Sequence, residues 1–260
     1  MSGQIIWFKD CSYENKHLVG GKCSSLGELH AISRRIGFSI GDGFAITTEM
    51  YDDFVENNDL GPKIEKMLAT INTENIKELE EKTKELRDVI CGASLTESQI
   101  AAISIGYYDM CKLYNRENIE VAVRSSALAE DLPNASFAGQ HDSYLNVVGE
   151  QALLTSVKEC FASLFNSRAV SYRKTHNIQL SDVKISVAVQ KMIRSDLSSS
   201  GVAFSVDTES GFPDVVVINS SYGLGEMVVS GQVKPDEFIV FKKKLEEGFS
   251  SIIDKIMGPH

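Results

Sequence analysis

The chain has 260 residues, 43% of them hydrophobic and 24% charged, with 36 acidic against 26 basic residues and a formal net charge of −10. That length allows one large domain or two ordinary ones, and the composition is that of a soluble globular protein with a sizeable core. The acidic balance argues against a broad nucleic-acid surface, and no apolar run approaches the roughly 20 residues a membrane helix needs.

The N-terminus, MSGQIIWFKD, lacks the basic flank and apolar core of a secretory signal. Five scattered cysteines with no CxxC pair suggest neither a zinc site nor a disulfide framework, so a reduced, cytoplasmic protein is expected. Residues 16–35, KHLVGGKCSSLGELHAISRR, read as a Gly-Gly turn leading into a helix. GGKCS lacks the glycine spacing of a Walker A loop and has Cys23 where that loop needs Ser or Thr. A glycine turn at a helix start still exposes backbone N–H groups, and Lys22 adds a point charge, which suits an anion. An ordinary helix entry with a surface lysine is the alternative.

Residues 36–48 are glycine-rich and then strand-like, and 51–114 carry a helical pattern. Ile76, Leu79, Leu86 and Ile90 recur at helical spacing, and Gly92 stands where a C-cap would. Thr96-Glu97-Ser98-Gln99 has the form of a capping box.

Residues 121–149, VAVRSSALAEDLPNASFAGQHDSYLNVVG, begin as a buried strand. The pattern then delivers Arg124 and two serines into a loop whose length is uncommon unless it binds something. An arginine at a strand end has a fork suited to phosphate oxygens; an ion pair with Glu130 or Asp131 is the structural alternative. The small-residue tip at 135–139 resembles a lid whose amides close over phosphates. His141 is a general-base candidate or a packing histidine. Residues 150–173 read as one amphipathic helix.

In the last third, VKISVAVQKMI, GVAFSVD, DVVVINSS and DEFIVFK are strand candidates, expected to form an antiparallel meander. Gln190, Lys191 and Met192 end the first of these, where they could line an adenine slot or simply reach solvent. Between the third and fourth lies YGLGEMVVSGQVKP, a glycine-rich loop holding Glu226. The architecture expected is α+β, with a helix-rich N-terminal part.

These stretches carry a resemblance. VGGKCSSLGEL, GFAITTEMYDDF, VAVRSSALAEDLPNASFAGQHDSYLNV, CFASLFNSRAVSYR, VAVQKM, SGVAFSVD and NSSYGLGEMVVSGQVKPDEF stand in order along nearly the whole chain. They resemble the N-terminal nucleotide-binding region of the phosphoenolpyruvate synthase, pyruvate phosphate dikinase and rifampin phosphotransferase group. The resemblance implies an ATP-grasp fold that binds ATP. It places Lys22 and Arg124 on the phosphates, and Gly139 and Ser143 in the loop over the triphosphate. Gln190 falls at the nucleotide pocket, with the backbone of Lys191 and Met192 along the adenine edge and Glu226 in a loop that approaches the nucleotide. Ser143 stands where relatives often carry Thr, and Leu128 replaces the threonine of "SSATAEDLP".

The resemblance further implies three parts. These are a helix-rich subdomain at 1–117 with the Lys22 turn, a strand, phosphate loop and long helix at 118–182, and an incomplete antiparallel-sheet lobe at 183–260. The chain is expected to be C-terminally truncated relative to the family, because FKKKLEEGFSSIIDKIMGPH does not resemble the later segment ending like "LQARP". That segment supplies acidic Mg²⁺ ligands, so Mg²⁺ is expected for the family while no metal ligand or catalytic residue is assigned on this chain. The implied partners are ATP and the phosphohistidine and acceptor-binding domains of a longer parent, with no nucleic acid and no membrane. Two function classes follow. One is the ATP domain of a dikinase-type phosphotransferase, phosphoenolpyruvate synthase-like or else rifampin phosphotransferase-like. The other is a nucleotide-binding module without turnover.

Overall fold

The computed structural model describes residues 3–127, 143–176, 178 and 183–259. The chain divides into two compact units, Met1–Met192 and Ile193–His260.

The first unit is built on a five-stranded antiparallel sheet. Its strands are β1 (Ile5–Trp7), β2 (Gly43–Ile46), β3 (Glu120–Ala127), β4 (Ser143–Val148) and β5 (Ile185–Lys191), in spatial order β1-β2-β5-β3-β4. Helices α1 (Lys16–Ile36), α2 (Thr48–Asn57), α3 (Leu60–Ala69), α4 (Ile76–Gly92), α5 (Glu97–Leu113), α6 (Glu150–Ser163) and α7 (Ser167–Thr175) surround it. Side chains alternate across a pleated strand, so each strand supplies both faces. Phe44, Ile46, Val121, Val123, Val187 and Val189 belong to the main core, together with Phe54, Tyr107, Leu153 and Phe161 from the helices. Ala45 and Ala188 point the other way, into a smaller cluster with Phe8, Val19 and Cys23. The ring of Phe161, with no exposed surface, meets Phe54 at 5.3 Å and Tyr51 at 5.2 Å between centroids. Truncating such a buried ring costs about 3–5 kcal/mol.

Several local expectations hold for stated reasons. Thr96 Oγ1 accepts the Gln99 N–H while Gln99 Oε1 accepts the Thr96 N–H, which completes the capping box at the start of α5. Leu79, Leu86 and Ile90 are buried along α4. Ile76 is not; it opens the helix at 71% exposure. Gly92 is the last residue of α4 rather than its cap, and the chain leaves through Ala93 in an extended conformation.

Other expectations require correction. Residues 150–173 are not one helix: α6 stops at Ser163, and Asn166 restarts the chain as α7 by accepting the Ala169 N–H at 2.8 Å. An Asn side chain competes for nearby backbone donors and so favours a cap over a helix interior. Arg124, Ser125 and Ser126 lie inside the eight-residue β3, not in a loop beyond it. The strand β5 does not join the meander. It pairs with β2 and β3 in the first sheet, where its first five residues are buried. A strand covered on both faces reads as a continuous apolar run, so its sequence does not reveal which sheet it enters.

The second unit is a four-stranded antiparallel meander of β6 (Ser199–Phe204), β7 (Val215–Tyr222), β8 (Asp236–Phe241) and β9 (Ile252–Ile256), in that order. Two short helices, α8 (Gly225–Val229) and α9 (Lys242–Glu246), lie in its connections. The molecule is thus mixed helix and antiparallel sheet. No single described helix is long and apolar enough to cross a membrane.

Candidate functional site

The Gly-Gly turn is a break within α1. Gly20 has φ 73° and ψ 171° inside an otherwise helical run, a region that only glycine occupies readily. A Cβ there would fall 2.2 Å from the carbonyl oxygen of Ser126 and 2.3 Å from its hydroxyl. The fully buried Ser126 hydroxyl bridges the break. It accepts the Lys22 N–H at 3.2 Å and donates to the Val19 carbonyl at 3.2 Å. The start of the longer helical segment is therefore fastened to β3.

The register of β3 decides what else gathers there. Arg124 stands directly opposite Ser143 on β4 and Ala188 on β5. Ser126 pairs with Ser186, and Ala122 pairs with Gln190. Directly opposed residues share a face, as do positions two apart on one strand. Arg124, Ser126, Ser143, Ser186 and Gln190 thus lie on the same side as Ala188, the side that α1 covers. Three of the expected phosphate residues, Lys22, Arg124 and Ser143, come from a helix start and two strands to one neighbourhood. Gln190 lies two residues beyond Ala188 along β5, about 7 Å at strand spacing. Ser126 was not singled out from the sequence, although its position two after Arg124 was a signal for the shared face.

Charge reaches this neighbourhood from both cations. Burial pushes the thiol of Cys23 up to about 12, while the neighbouring Ser186 and Ser126 hydroxyls and the positive charges of Lys22 and Arg124 act in the opposite direction. Burial disfavours the thiolate more than two cations and two hydroxyls favour it. Cys23 is therefore a neutral packing group beneath the site.

At the far end of β5 the side chain of Gln190 donates to the Gly41 carbonyl at 3.1 Å. The Lys191 N–H donates to Asp42 O at 2.9 Å, and the Met192 N–H donates to Glu120 O at 2.9 Å. Both amides are thus engaged within the first unit. The Lys191 ammonium lies 5.5 Å from the centroid of the Tyr114 ring and donates to the Met192 carbonyl at 2.7 Å. Glu226 belongs to the second unit, where it is an exposed residue of the first turn of α8. Glu130, Asp131, the 135–139 tip, Gly139 and His141 lie outside the described residues.

The donor set has the chemistry to hold an anion. It combines a helical segment opened by a glycine that no side chain could replace, a lysine within that turn, and an arginine and a hydroxyl opposed across two strands. Among the described residues, no group of three or more His, Cys, Asp or Glu side chains is placed to hold a metal ion.

The family model of the pyruvate phosphate dikinase AMP/ATP-binding domain matches residues 16–259. The chain belongs to that family. It is 46% identical over 254 residues to a phosphoenolpyruvate synthase of Aquifex aeolicus, and 44% identical over 254 residues to one of Helicobacter pylori. A phosphoenolpyruvate synthase of Synechocystis sp. is 43% identical over 258 residues. Each match covers 98% of this chain but 30%, 31% and 32% of the respective relative, so the chain spans about a third of their length.

Proposed function

We propose that this chain is the nucleotide-binding part of an ATP-dependent dikinase of the phosphoenolpyruvate synthase kind, with an ATP-grasp architecture. Lys22, Arg124 and Ser143 hold the triphosphate, Gly139 belongs to the loop above it, and Gln190, Lys191 and Met192 border the base. Glu226 is a nucleotide residue by the family resemblance alone. In functional terms 1–117 supplies the lysine turn, 118–182 the arginine and the phosphate loop, and 183–260 the base-side strand and the remaining sheet lobe. The observation that carries the reading is the placement of Lys22, Arg124 and Ser143 around the Gly20 break.

Phosphoryl transfer is mostly positioning and charge stabilisation. Lys22 contributes a point charge and Arg124 a planar fork, so the two differ in what they fix: the lysine neutralises, the arginine orients. The phosphoryl group then passes to a histidine on another domain of a longer, cytoplasmic protein, and from there to pyruvate. Mg²⁺ would neutralise charge on the transferring group; no ligand for it is assigned among the described residues. Calorimetric titration with a non-hydrolysable ATP analogue tests the site. Saturable binding that falls at least tenfold in Lys22→Ala and Arg124→Ala supports it; equal affinity in both variants rejects it. In the full-length protein, ATP-dependent conversion of pyruvate supports the acceptor, whereas transfer to a rifamycin hydroxyl would select the rifampin-type alternative.

A further inference from the structure

A second place in the first unit has the form of a ligand site. At the C-terminal end of α1, a cavity of about 550 Å³ opens between that helix, the end of β1, the 38–43 connection and α5. Its walls divide chemically. Trp7, Phe38, Ile40 and Leu113 give an apolar side, on which Phe38 is 42% and Leu113 59% exposed. Lys9 and Arg34 bring two cations, and neither has a hydrogen-bond or ion-pair partner among the described residues.

The acids on the same walls are already occupied. Asp42 Oδ1 lies 3.1 Å from His30 Nε2, Asp42 Oδ2 accepts the Tyr114 hydroxyl at 3.4 Å, and Asp109 pairs with Lys112 at 3.1 Å. Lys9 and Arg34 are thus the charged groups of this lining that make no hydrogen bond or ion pair among the described residues, and they stand beside an aromatic wall. The wall is also fixed before any ligand arrives. Gly37, at φ 82°, turns the chain out of α1, Ser33 Oγ donates to the His30 carbonyl, and Gln190 and Lys191 hold Gly41 and Asp42. Preformed, mainly apolar cavities with a few convergent polar groups are the usual form of small-ligand sites.

Helix electrostatics explain only part of this arrangement. Arg34 in the last turn of α1 complements the helix dipole. Arg35 does so equally, and the dipole explains neither Lys9 nor the open apolar wall. We propose that this cavity binds a small aromatic anion, its ring against Trp7 and Phe38 and its carboxylate or phosphate paired with Lys9 and Arg34. The site is separate from the Lys22 neighbourhood. Lys22 and Arg34 are twelve residues apart on one helix, about 18 Å along its axis. The cavity's 38–43 wall is held by Gln190 and Lys191, which the nucleotide reading places beside the base, but Lys9, Arg34 and Phe38 have no part in that reading.

Trp7 is the sole tryptophan of the sequence, so its fluorescence reports on this cavity. Phenyl phosphate titrated into the whole chain should give a saturable change in that emission. Phenol and inorganic phosphate should each act at least tenfold more weakly, because each carries half of the recognised chemistry. In the Lys9→Gln, Arg34→Gln double variant the affinity for phenyl phosphate should fall at least tenfold with the melting temperature held within a few degrees. Both side chains are exposed, so folding should survive; the Phe38→Ser variant gives an independent reading and should weaken binding several-fold. Absence of a saturable change overturns the proposal, as does affinity unaltered in the double variant or inorganic phosphate acting as well as the aryl ester. Binding lost in Arg124→Ala would place the ligand at the other end of α1, and also overturns it.

Discussion

The Ser126 hydroxyl accepts the backbone N–H of Lys22 across 104 residues of sequence, at 3.2 Å. Because the same hydroxyl donates to Val19, one side chain satisfies two backbone groups on either side of the Gly20 break. Ser126→Ala leaves both groups without that partner, and an unsatisfied buried group costs about 1–3 kcal/mol. The expected loss is about 2 kcal/mol, read as a lower urea midpoint at unchanged slope. A loss below about 0.5 kcal/mol would mean that the bridge contributes little.

Gly20→Ala should cost more, at least ~3 kcal/mol. The substitution combines a backbone conformation that costs a non-glycine residue about 1–3 kcal/mol with a Cβ 2.2 Å from a strand carbonyl. Gly61→Ala is the control. That glycine lies within α3 with nothing within 4 Å of its added Cβ, so alanine there should stabilise by about 0.5–1 kcal/mol. Denaturation of the two variants side by side separates a demanded glycine from an incidental one.

Much of this was readable in the residues, and what was not has physical causes. The capping box and the buried positions of α4 follow local rules, so Thr96, Gln99, Leu79 and Leu86 were legible. Lys22 and Arg124 were legible as anion-binding chemistry, but their meeting depends on Ser126 reaching a helix 104 residues earlier, which no local pattern encodes. In sequence Arg124 reads as leaving its strand, because an arginine and two serines end the apolar run. In the fold Arg124 and Ser126 face α1, and Ser125 is buried on the opposite side, so polar residues continue β3. The destination of β5 was illegible for the opposite reason, since uniform burial erases alternation.

The buried Cys23 makes stability fall at alkaline pH. Burial raises its thiol from 9.0 to about 12 in the folded state. Between those values the unfolded chain has lost the proton that the folded chain keeps, so the unfolded state binds fewer protons and stability decreases as pH rises. The contribution is fully present below about pH 9 and lost progressively toward pH 12, at up to about 1.4 kcal/mol per pH unit. Urea unfolding at pH 8 and pH 10 should therefore show a steeper loss in the native chain than in Cys23→Ala. Parallel losses in the two proteins would assign the alkaline sensitivity to other groups. Thiol-directed labelling at pH 8 should likewise be slow at Cys23 and limited by opening of the fold.

Arg124 separates function from packing. It is half-buried, opposed by Ser143 and Ala188, on the face covered by the helix that carries Lys22. If it holds phosphate, Arg124→Ala removes a charge-assisted contact worth about 1.5–3 kcal/mol, a roughly 10- to 150-fold loss of affinity for an ATP analogue. Its melting temperature should change little. Arg124→Lys should recover part of the affinity but not all, because lysine restores the charge without the planar fork. If Arg124 instead serves an ion pair within the fold, the pattern reverses: the melting temperature drops while affinity per folded molecule is unchanged. Thermal melts and calorimetric titrations on the same two variants decide between these outcomes, and a lysine variant that binds as well as the native chain would show that charge alone, without the bidentate geometry, accounts for the role of this position.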